Sequence, residues 1–188
     1  MELIQEINKS IAQLKEGNLI LYPTDTVWGV GCDATNPEAV KKVYALKNRE
    51  DSKALICLVA HQAMLERYVE QVPEVAYDIM DLATKPTTIV FDAPKDIAFN
   101  LVAADNTLAI RVASDEFCQK LINKFGKPIV STSANISGMP TPQDFKSIHP
   151  NILKGVDYVV NLPLVNKDTP PSSIIKLGND GKVKVIRE

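Results

Sequence analysis

The sequence predicts an α+β fold in which helices flank a mixed β-sheet. Helical and strand patterns alternate along the whole chain, without repeats or low-complexity tracts. The last two strands are joined by Gly178-Asn179-Asp180-Gly181, a hairpin signal that requires an antiparallel pair. The chain has 188 residues and no segment long enough for a domain linker, so we expect one domain over residues 1–188.

The first half of the chain carries two helix signals with defined ends. Apolar residues at helical spacing from Leu3 to Leu14 predict the first helix, and Gly17 terminates that pattern. Asn36 followed by Pro37 predicts the start of the second helix, because Asn caps a helix and Pro suits its first turn. The other elements expected here are strands over 19–22 and 55–59 and helices over 62–68 and 73–82.

The second half contains one clear helix and several short strands. A helix is predicted from Ser114-Asp115-Glu116 to Phe125, with Gly126 as its terminator. The expected strands lie over 88–91, 108–112, 129–131, 158–161, 173–177 and 182–186.

Charge and cysteine content exclude several protein classes. The net charge of −2 gives no overall positive field, so any contact with phosphate must come from a local cluster of Lys and Arg. Cys32, Cys57 and Cys118 are far apart and follow no zinc spacing, which indicates free thiols and no protein-bound metal. The sequence has neither a signal peptide nor a membrane-spanning apolar run, so we expect a cytoplasmic protein.

The first polar segment, Tyr22 to Ala34, follows a predicted strand. Thr24 and Thr26 flank a carboxylate there, and two glycines allow a ligand to approach the backbone. By itself the segment favours a strand-to-strand turn whose Thr and Asp satisfy local backbone groups. Its glycines imitate a dinucleotide fingerprint, but the next helix begins too late and no acid follows the next strand, which excludes a Rossmann site.

The second polar segment leaves the second helix and contains three cations, Lys47, Arg49 and Lys53. Three cations within seven residues can surround a polyphosphate. The alternative is a solvated charge run neutralised by Glu50 and Asp51, and the residues alone do not decide between the two. Because Lys47 and Arg49 belong to no apolar stripe, we expect their replacement by Ala to reduce turnover without unfolding the protein.

The third polar segment, Ser131 to Gly138, places four hydroxyls and an amide after an apolar strand. This density exceeds what a structural turn needs and favours a ligand site at the edge of the sheet. GxSxG and GxxxxGK[ST] are both absent, so a bound nucleotide would not use a P-loop. Arg111 shares a strand face with Thr107 and is costly to bury without an anionic partner.

Taken together and in order, these segments resemble the YrdC-like family, in particular its threonylcarbamoyl-AMP synthases. The residues that carry the resemblance are YPTDTVWGVGCDA, LKNREDSKAL and STSANISG. The chain resembles the catalytic domain alone, without the extra C-terminal domain of longer relatives. The resemblance implies a twisted mixed sheet curled around a concave, positively charged cavity.

The resemblance also implies a reaction and its substrates. Threonine's amine would capture bicarbonate or CO2 as a carbamate, which would attack the α-phosphate of ATP and release pyrophosphate. The product, threonylcarbamoyl-AMP, would serve the threonylcarbamoylation of tRNA (t6A37), with hand-off to the tRNA-modifying complex. Mg²⁺ would arrive with ATP, and no tightly bound cofactor is expected.

Site residues follow from the resemblance by motif position, with Lys47 and Arg49 as the catalytic pair at the phosphates. The ATP side would comprise Lys47, Arg49, Lys53, Thr107, Ser133, Asn135, Thr141 and Arg187. The threonine side would comprise Thr26, Arg111, Ser131 and Ser172, with Arg111 taking the carboxylate. The chain departs from the family pattern at Glu50-Asp51, at Lys85 to Thr88 and at Leu58, which affects details of the pocket.

Three other functions compete with this interpretation. The first is a non-catalytic YrdC-like paralogue that binds RNA or a nucleotide, against which the joint presence of Lys47, Arg49, Ser133 and Asn135 argues. The second is an RNA-binding module, which the net charge of −2 and the 6% aromatic content support poorly beyond weak contact. The third is a carbamoyltransferase module of the hydrogenase-maturation type, which would normally have accompanying domains.

Overall fold

The computed structural model describes residues 1–48, 55–163 and 171–188. Its helices are α1 (Glu2–Lys15), α2 (Pro37–Lys47), α3 (Gln62–Leu65), α4 (Glu74–Leu82), α5 (Glu116–Phe125) and α6 (Pro150–Gly155), with 3₁₀ turns at Phe99–Leu101 and Phe145–Ser147. Its strands are β1 (Ile20–Pro23), β2 (Trp28–Gly31), β3 (Ile56–Val59), β4 (Thr87–Asp92), β5 (Thr107–Val112), β6 (Ile129–Ser133), β7 (Tyr158–Val159), β8 (Ser173–Leu177) and β9 (Val183–Arg187).

Within these ranges the strands form one mixed sheet. Their order is β7-β1-β2-β6-β3-β5-β4-β8-β9. The pairs β1/β7, β3/β5 and β4/β8 are parallel, and the remaining neighbours are antiparallel. The α+β class with a mixed sheet and flanking helices is therefore confirmed, as is the hairpin that joins β8 to β9.

The two faces of the central strands have different roles. Cys57, Ile110 and Val130, from β3, β5 and β6, belong to the main hydrophobic core, to which α1, α2 and α5 also contribute. Successive residues of a strand point to opposite faces. Ala109 and Ser131, each adjacent to one of these core residues, accordingly line a cavity on the other face, which we call the cavity face.

The helix signals read from the sequence have the expected physical causes. The Asn36 side chain accepts hydrogen bonds from the backbone N–H groups of residues 38 and 39, which caps α2. Asp115 caps α5 in the same way, and Gly126 ends that helix in the left-handed conformation. Gly17 has a φ of +72°, as a helix terminator requires.

Some element boundaries differ from expectation. β2 was not predicted, because two of its four residues are glycines and glycine weakens a strand pattern. Gly31 is needed there, since a Cβ would lie 2.2 Å from the carbonyl oxygen of Val130 on the neighbouring strand. β6 extends to Ser133, so part of the polar segment lies in the strand and not in a turn. The helix expected over 62–68 ends at Leu65.

No helix in the described part of the chain combines the length and apolar character that crossing a bilayer requires.

Candidate active site

The cavity face carries a cavity of about 410 Å³, within the size range of small-molecule sites. It is lined by residues of the β-strands, by the segments that follow β1 and β6, and by residues 171 and 172 immediately before β8. Among the described residues that line it, the charged ones are Arg111 and Arg187, and both are cations. Seven residues named from the sequence line it together: Thr26, Arg111, Ser131, Ser133, Thr141, Ser172 and Arg187.

Arg111 reaches the cavity from β5 and is 5% exposed. Its Nη2 donates to Oδ1 of Asp25 at 2.9 Å, and Asp25 is itself 5% exposed. The other carboxylate oxygen, Oδ2, accepts from the Ser114 hydroxyl at 2.6 Å. The anionic partner that burial of Arg111 required is therefore Asp25, which sequence reasoning did not identify.

Arg187 enters from the end of β9 and meets Ser172. Its Nε and Nη2 donate to the carbonyl oxygen of Ser172 at 2.9 and 2.7 Å. The Ser172 hydroxyl lies 2.9 Å from that of Thr88, which is fully buried in β4. Burial lowers the pKa of Arg187, and the positive charge of Arg111 lowers it further. Both guanidinium-bearing residues line the same cavity.

The turn between β1 and β2 is built by Thr24. Its Oγ1 accepts from the backbone N–H groups of Thr26 and Val27 at 3.1 and 3.2 Å and donates to the carbonyl of Val27. The structural interpretation of this segment is therefore correct for Thr24. The same turn also exposes Thr24 and Thr26 to the cavity and directs Asp25 toward Arg111.

Lys47, at the last turn of α2, binds the polar segment after β6. Its Nζ donates to the carbonyl oxygens of Ser133 and Asn135 at 2.5 and 2.7 Å, and the Oδ1 of Asn135 lies 3.4 Å away. The carbonyl of Lys47 accepts from the N–H of Ser137 at 2.9 Å. Two of the three polar segments therefore meet, although Lys47 is not among the residues that line the cavity.

The expectation that Lys47 lies outside any apolar stripe is wrong. Lys47 is 1% exposed and continues the buried face of α2 formed by Val40, Val43 and Tyr44. These residues stand at i, i+3, i+4 and i+7, the spacing of one helix face. The helical spacing alone would have predicted this burial. It was not predicted because a lysine is normally assigned to an exposed position.

Two further described residues named from the sequence, Asn135 and Thr107, are not among those that line the cavity. Asn135 adjoins Ser133, whose hydroxyl contacts its Oδ1 at 2.5 Å, and its amide donates to the carbonyl of Met139 at 2.6 Å. Thr107 lies on the face of β5 that carries Arg111, and its hydroxyl donates to Asp105 at 2.7 Å. Arg49 and Lys53 lie outside the described residues.

The cysteines are buried free thiols. Burial raises the pKa of Cys57 to about 12 and raises those of Cys32 and Cys118 as well, so all three remain protonated at neutral pH. Over the described ranges, no group of three His, Cys, Asp or Glu side chains is arranged to hold a metal ion.

Sequence comparisons match most of this chain to one protein family and to named members of it. The family model Sua5_yciO_yrdC, described as "Telomere recombination", matches residues 12–188. A threonylcarbamoyl-AMP synthase of Pseudoalteromonas translucida is 35% identical over 180 residues, covering 94% of this chain and 95% of that protein. One from Photobacterium profundum is 39% identical over 143 residues, covering 74% of this chain and 76% of that protein.

Solved structures share the fold. Sua5 of P. abyssi complexed with L-threonine superposes with a TM-score of 0.87 at 26% identity, covering 96% of this chain and 53% of that one. This chain therefore spans about half the length of that Sua5. YciO of E. coli gives a TM-score of 0.84 at 25% identity, covering 97% of this chain and 88% of that one.

Proposed function

Because the chain belongs to the Sua5/YciO/YrdC family, we propose that it condenses L-threonine, bicarbonate or CO2, and ATP into threonylcarbamoyl-AMP and pyrophosphate. The family resemblance drawn from the three motifs is confirmed. The observation that carries the proposal is a single cavity lined by two guanidinium groups and several hydroxyls, next to a turn that a buried lysine holds.

The chemistry needs binding and charge neutralisation more than a protein nucleophile. In the first step the threonine nitrogen bonds to the carbon of CO2, or of bicarbonate with loss of water, and loses a proton to give the carbamate. In the second step a carbamate oxygen bonds to the α-phosphorus of ATP while the bond to pyrophosphate breaks. Such a transfer is accelerated mainly by positioning and by cations at the phosphates. The protonated cysteines take no part.

The threonine end of the proposed site comprises Thr26, Arg111, Ser131 and Ser172. We assign the threonine carboxylate to Arg111, whose buried Nε has no hydrogen-bond partner among the described residues. A carboxylate oxygen there would satisfy that donor with a charge-assisted hydrogen bond.

The ATP end comprises Lys47, Arg49, Lys53, Thr107, Ser133, Asn135, Thr141 and Arg187. Arg49 and Lys53 would contact the phosphates of an ATP molecule that brings its own Mg²⁺. The geometry of Lys47 supports a modified role, because its ammonium group already binds the turn of Ser133 and Asn135. Lys47 would then act through that turn and through its positive charge.

The wider biological setting belongs to the same proposal. The chain would act as one catalytic domain over residues 1–188 in the cytoplasm. It would release its product to the complex that modifies tRNA at position 37, and its contact with RNA would be weak. The net charge of −2 is consistent with a small-molecule enzyme that does not hold tRNA itself.

The test is a pyrophosphate-release assay with the purified chain, Mg²⁺·ATP and bicarbonate, run with and without L-threonine. We expect release that requires threonine and bicarbonate, with threonylcarbamoyl-AMP as the product detected by mass spectrometry. D-threonine serves as a matched control, since its carboxylate, amine and side chain cannot all reach the same three contacts. ATP binding without threonine-dependent product would instead identify a non-catalytic paralogue.

A further inference from the structure

Asp25 is a buried carboxylate that faces Arg111 and does not line the cavity. Its two oxygens have separate partners: Oδ1 accepts from Arg111 at 2.9 Å, and Oδ2 accepts from the Ser114 hydroxyl at 2.6 Å. Arg111 lies near the end of β5 and Ser114 lies just after that strand, whereas Asp25 comes from the turn after β1. The carboxylate therefore joins two segments that are distant in sequence.

We propose that Asp25 is a positioning residue that fixes the Arg111 guanidinium in the orientation that binds the carboxylate of threonine. The inference rests on the proposed function for the identity of the ligand. Asp25 does not touch the substrate in this arrangement, and it acts through Arg111.

The first argument is the state of the Arg111 guanidinium. Its Nη2 is occupied by Asp25, while Nε is buried and has no partner among the described residues. Buried donors are normally paired, so an unpaired one beside a cavity indicates an acceptor supplied by a ligand. A guanidinium presents its donors in a rigid plane, and holding one of them fixes the direction of the others.

The second argument is that Asp25 is itself held in place. Thr24 accepts from two backbone N–H groups of the turn, which fixes the main chain around Asp25. Ser114 then restrains the carboxylate through Oδ2. A surface ion pair would have neither restraint, and both partners of this pair are 5% exposed. The turn, the carboxylate and the guanidinium thus form one rigid unit.

The experiment compares Asp25→Ala with Asp25→Asn in the full chain. The amide oxygen of Asn can still accept from Arg111, so this variant keeps the positioning contact, whereas Ala removes it. We expect Asp25→Ala to raise the Kd for L-threonine, measured by calorimetry, and the KM for threonine at least about tenfold. The KM for ATP of Asp25→Ala should stay within about twofold of wild type. Asp25→Asn should keep its affinity for threonine within about threefold of wild type. Glu116→Gln removes the acid of the exposed pair with Lys120 and is the matched control. It should leave the Kd for threonine and both KM values unchanged.

Three outcomes would overturn the inference. One is wild-type threonine affinity in a folded Asp25→Ala variant. Another is that both Asp25 variants show the same increase in the KM for threonine and in the KM for ATP, since that indicates a general effect on the fold. If Asp25→Ala does not unfold cooperatively, Ser114→Ala replaces it, because Ser114 is exposed and restrains only one oxygen of Asp25. This variant should raise the KM for threonine about threefold, and an unchanged KM would contradict the inference.

The design separates this inference from the proposed function. If the wild-type chain binds threonine but releases no pyrophosphate, the proposed function fails, and the binding constants of the variants still decide the role of Asp25. If pyrophosphate is released and Asp25→Ala behaves as wild type, the positioning role alone fails. A wild-type chain that does not bind threonine contradicts both.

Discussion

Lys47 and Arg111 are both buried cations at the candidate site, but they are held in opposite ways. The contacts of Lys47 with the described residues include neutral oxygens of one turn, the carbonyls of Ser133 and Asn135 and the Asn135 side chain. Arg111 is held by a full negative charge, the carboxylate of Asp25. The difference determines what each cation offers to a ligand.

The oxygens of that turn carry no formal charge, so they orient the Lys47 ammonium group without neutralising it. A cation beside a carboxylate forms a nearly neutral pair, so Arg111 contributes direction more than charge. Under the proposed function this division is appropriate, because a polyphosphate needs charge neutralisation and a single amino-acid carboxylate needs a fixed hydrogen-bonding partner. The predictions below begin with the largest expected effect, and the first two test this comparison directly.

Replacing Arg111 by Met should produce the largest loss of stability, because it leaves the Asp25 carboxylate buried without a cation. Removing one member of a buried ion pair costs about 3–5 kcal/mol in the free energy of unfolding. Urea denaturation at pH 7 measures the loss, and kcat/KM for threonine should fall by about 10–100-fold. The double variant Arg111→Met with Asp25→Asn should recover most of the stability and none of the activity. A loss below about 1 kcal/mol in the single variant would contradict the description of this pair as buried and coupled.

Replacing Lys47 by Met should cost less, because the acceptors that it leaves unpaired in the turn after β6 are neutral oxygens. We expect a loss of about 2 kcal/mol in the free energy of unfolding, the cost of leaving buried acceptors unpaired. Turnover should fall mainly through ATP, with a rise in the KM for ATP and a smaller change in the KM for threonine. Lys41→Met, on the exposed face of the same helix, is the control and should change stability by less than about 0.5 kcal/mol. A Lys47→Met variant as stable as this control would show that the lysine does not hold the turn.

Replacing Asp115 by Asn should give the smallest effect and the opposite sign. Burial raises the pKa of Asp115, and the nearby charge of Asp25 adds to the increase. An acid whose pKa is raised in the folded state stabilises the protein below its unfolded pKa, and this contribution is lost as the pH rises through the folded pKa. The ionised form is therefore unfavourable at pH 7.

Asn keeps the helix cap, because its oxygen can still accept from the N–H of Cys118. We expect a gain of no more than about 1 kcal/mol at pH 7 and none at pH 3, measured by thermal unfolding at both values. A gain of equal size at both pH values would mean that charge is not the cause.

The sequence predicted the fold well where local chemistry decides it. The cap at Asn36, the terminator at Gly126 and the hairpin at Gly178 to Gly181 all depend on neighbouring residues, and all three were predicted correctly. β2 was not predicted, because its glycines are required by a tertiary contact and not by local strand propensity. Gly31 packs too closely against the carbonyl of Val130 to allow a side chain. A contact between residues so far apart in the chain produces no periodic pattern in the sequence.

The site shows the same limit. The sequence indicated that Arg111 needed an anionic partner, but Asp25 lies 86 residues away, and only the pairing order of the strands brings the two together. The meeting of Lys47 with Asn135, 88 residues apart, was foreseen only through the family resemblance. The roles of the site residues remain predictions until the variants are measured.

The position of β9 at the edge of the sheet has a practical consequence. Arg187 lines the cavity and Glu188 follows it directly, so any polypeptide fused after Glu188 begins at the rim of the site. An affinity tag placed there would bring its own charges close to two guanidinium groups. Purification for the binding experiments should therefore use a tag before Met1, or one that a protease removes completely.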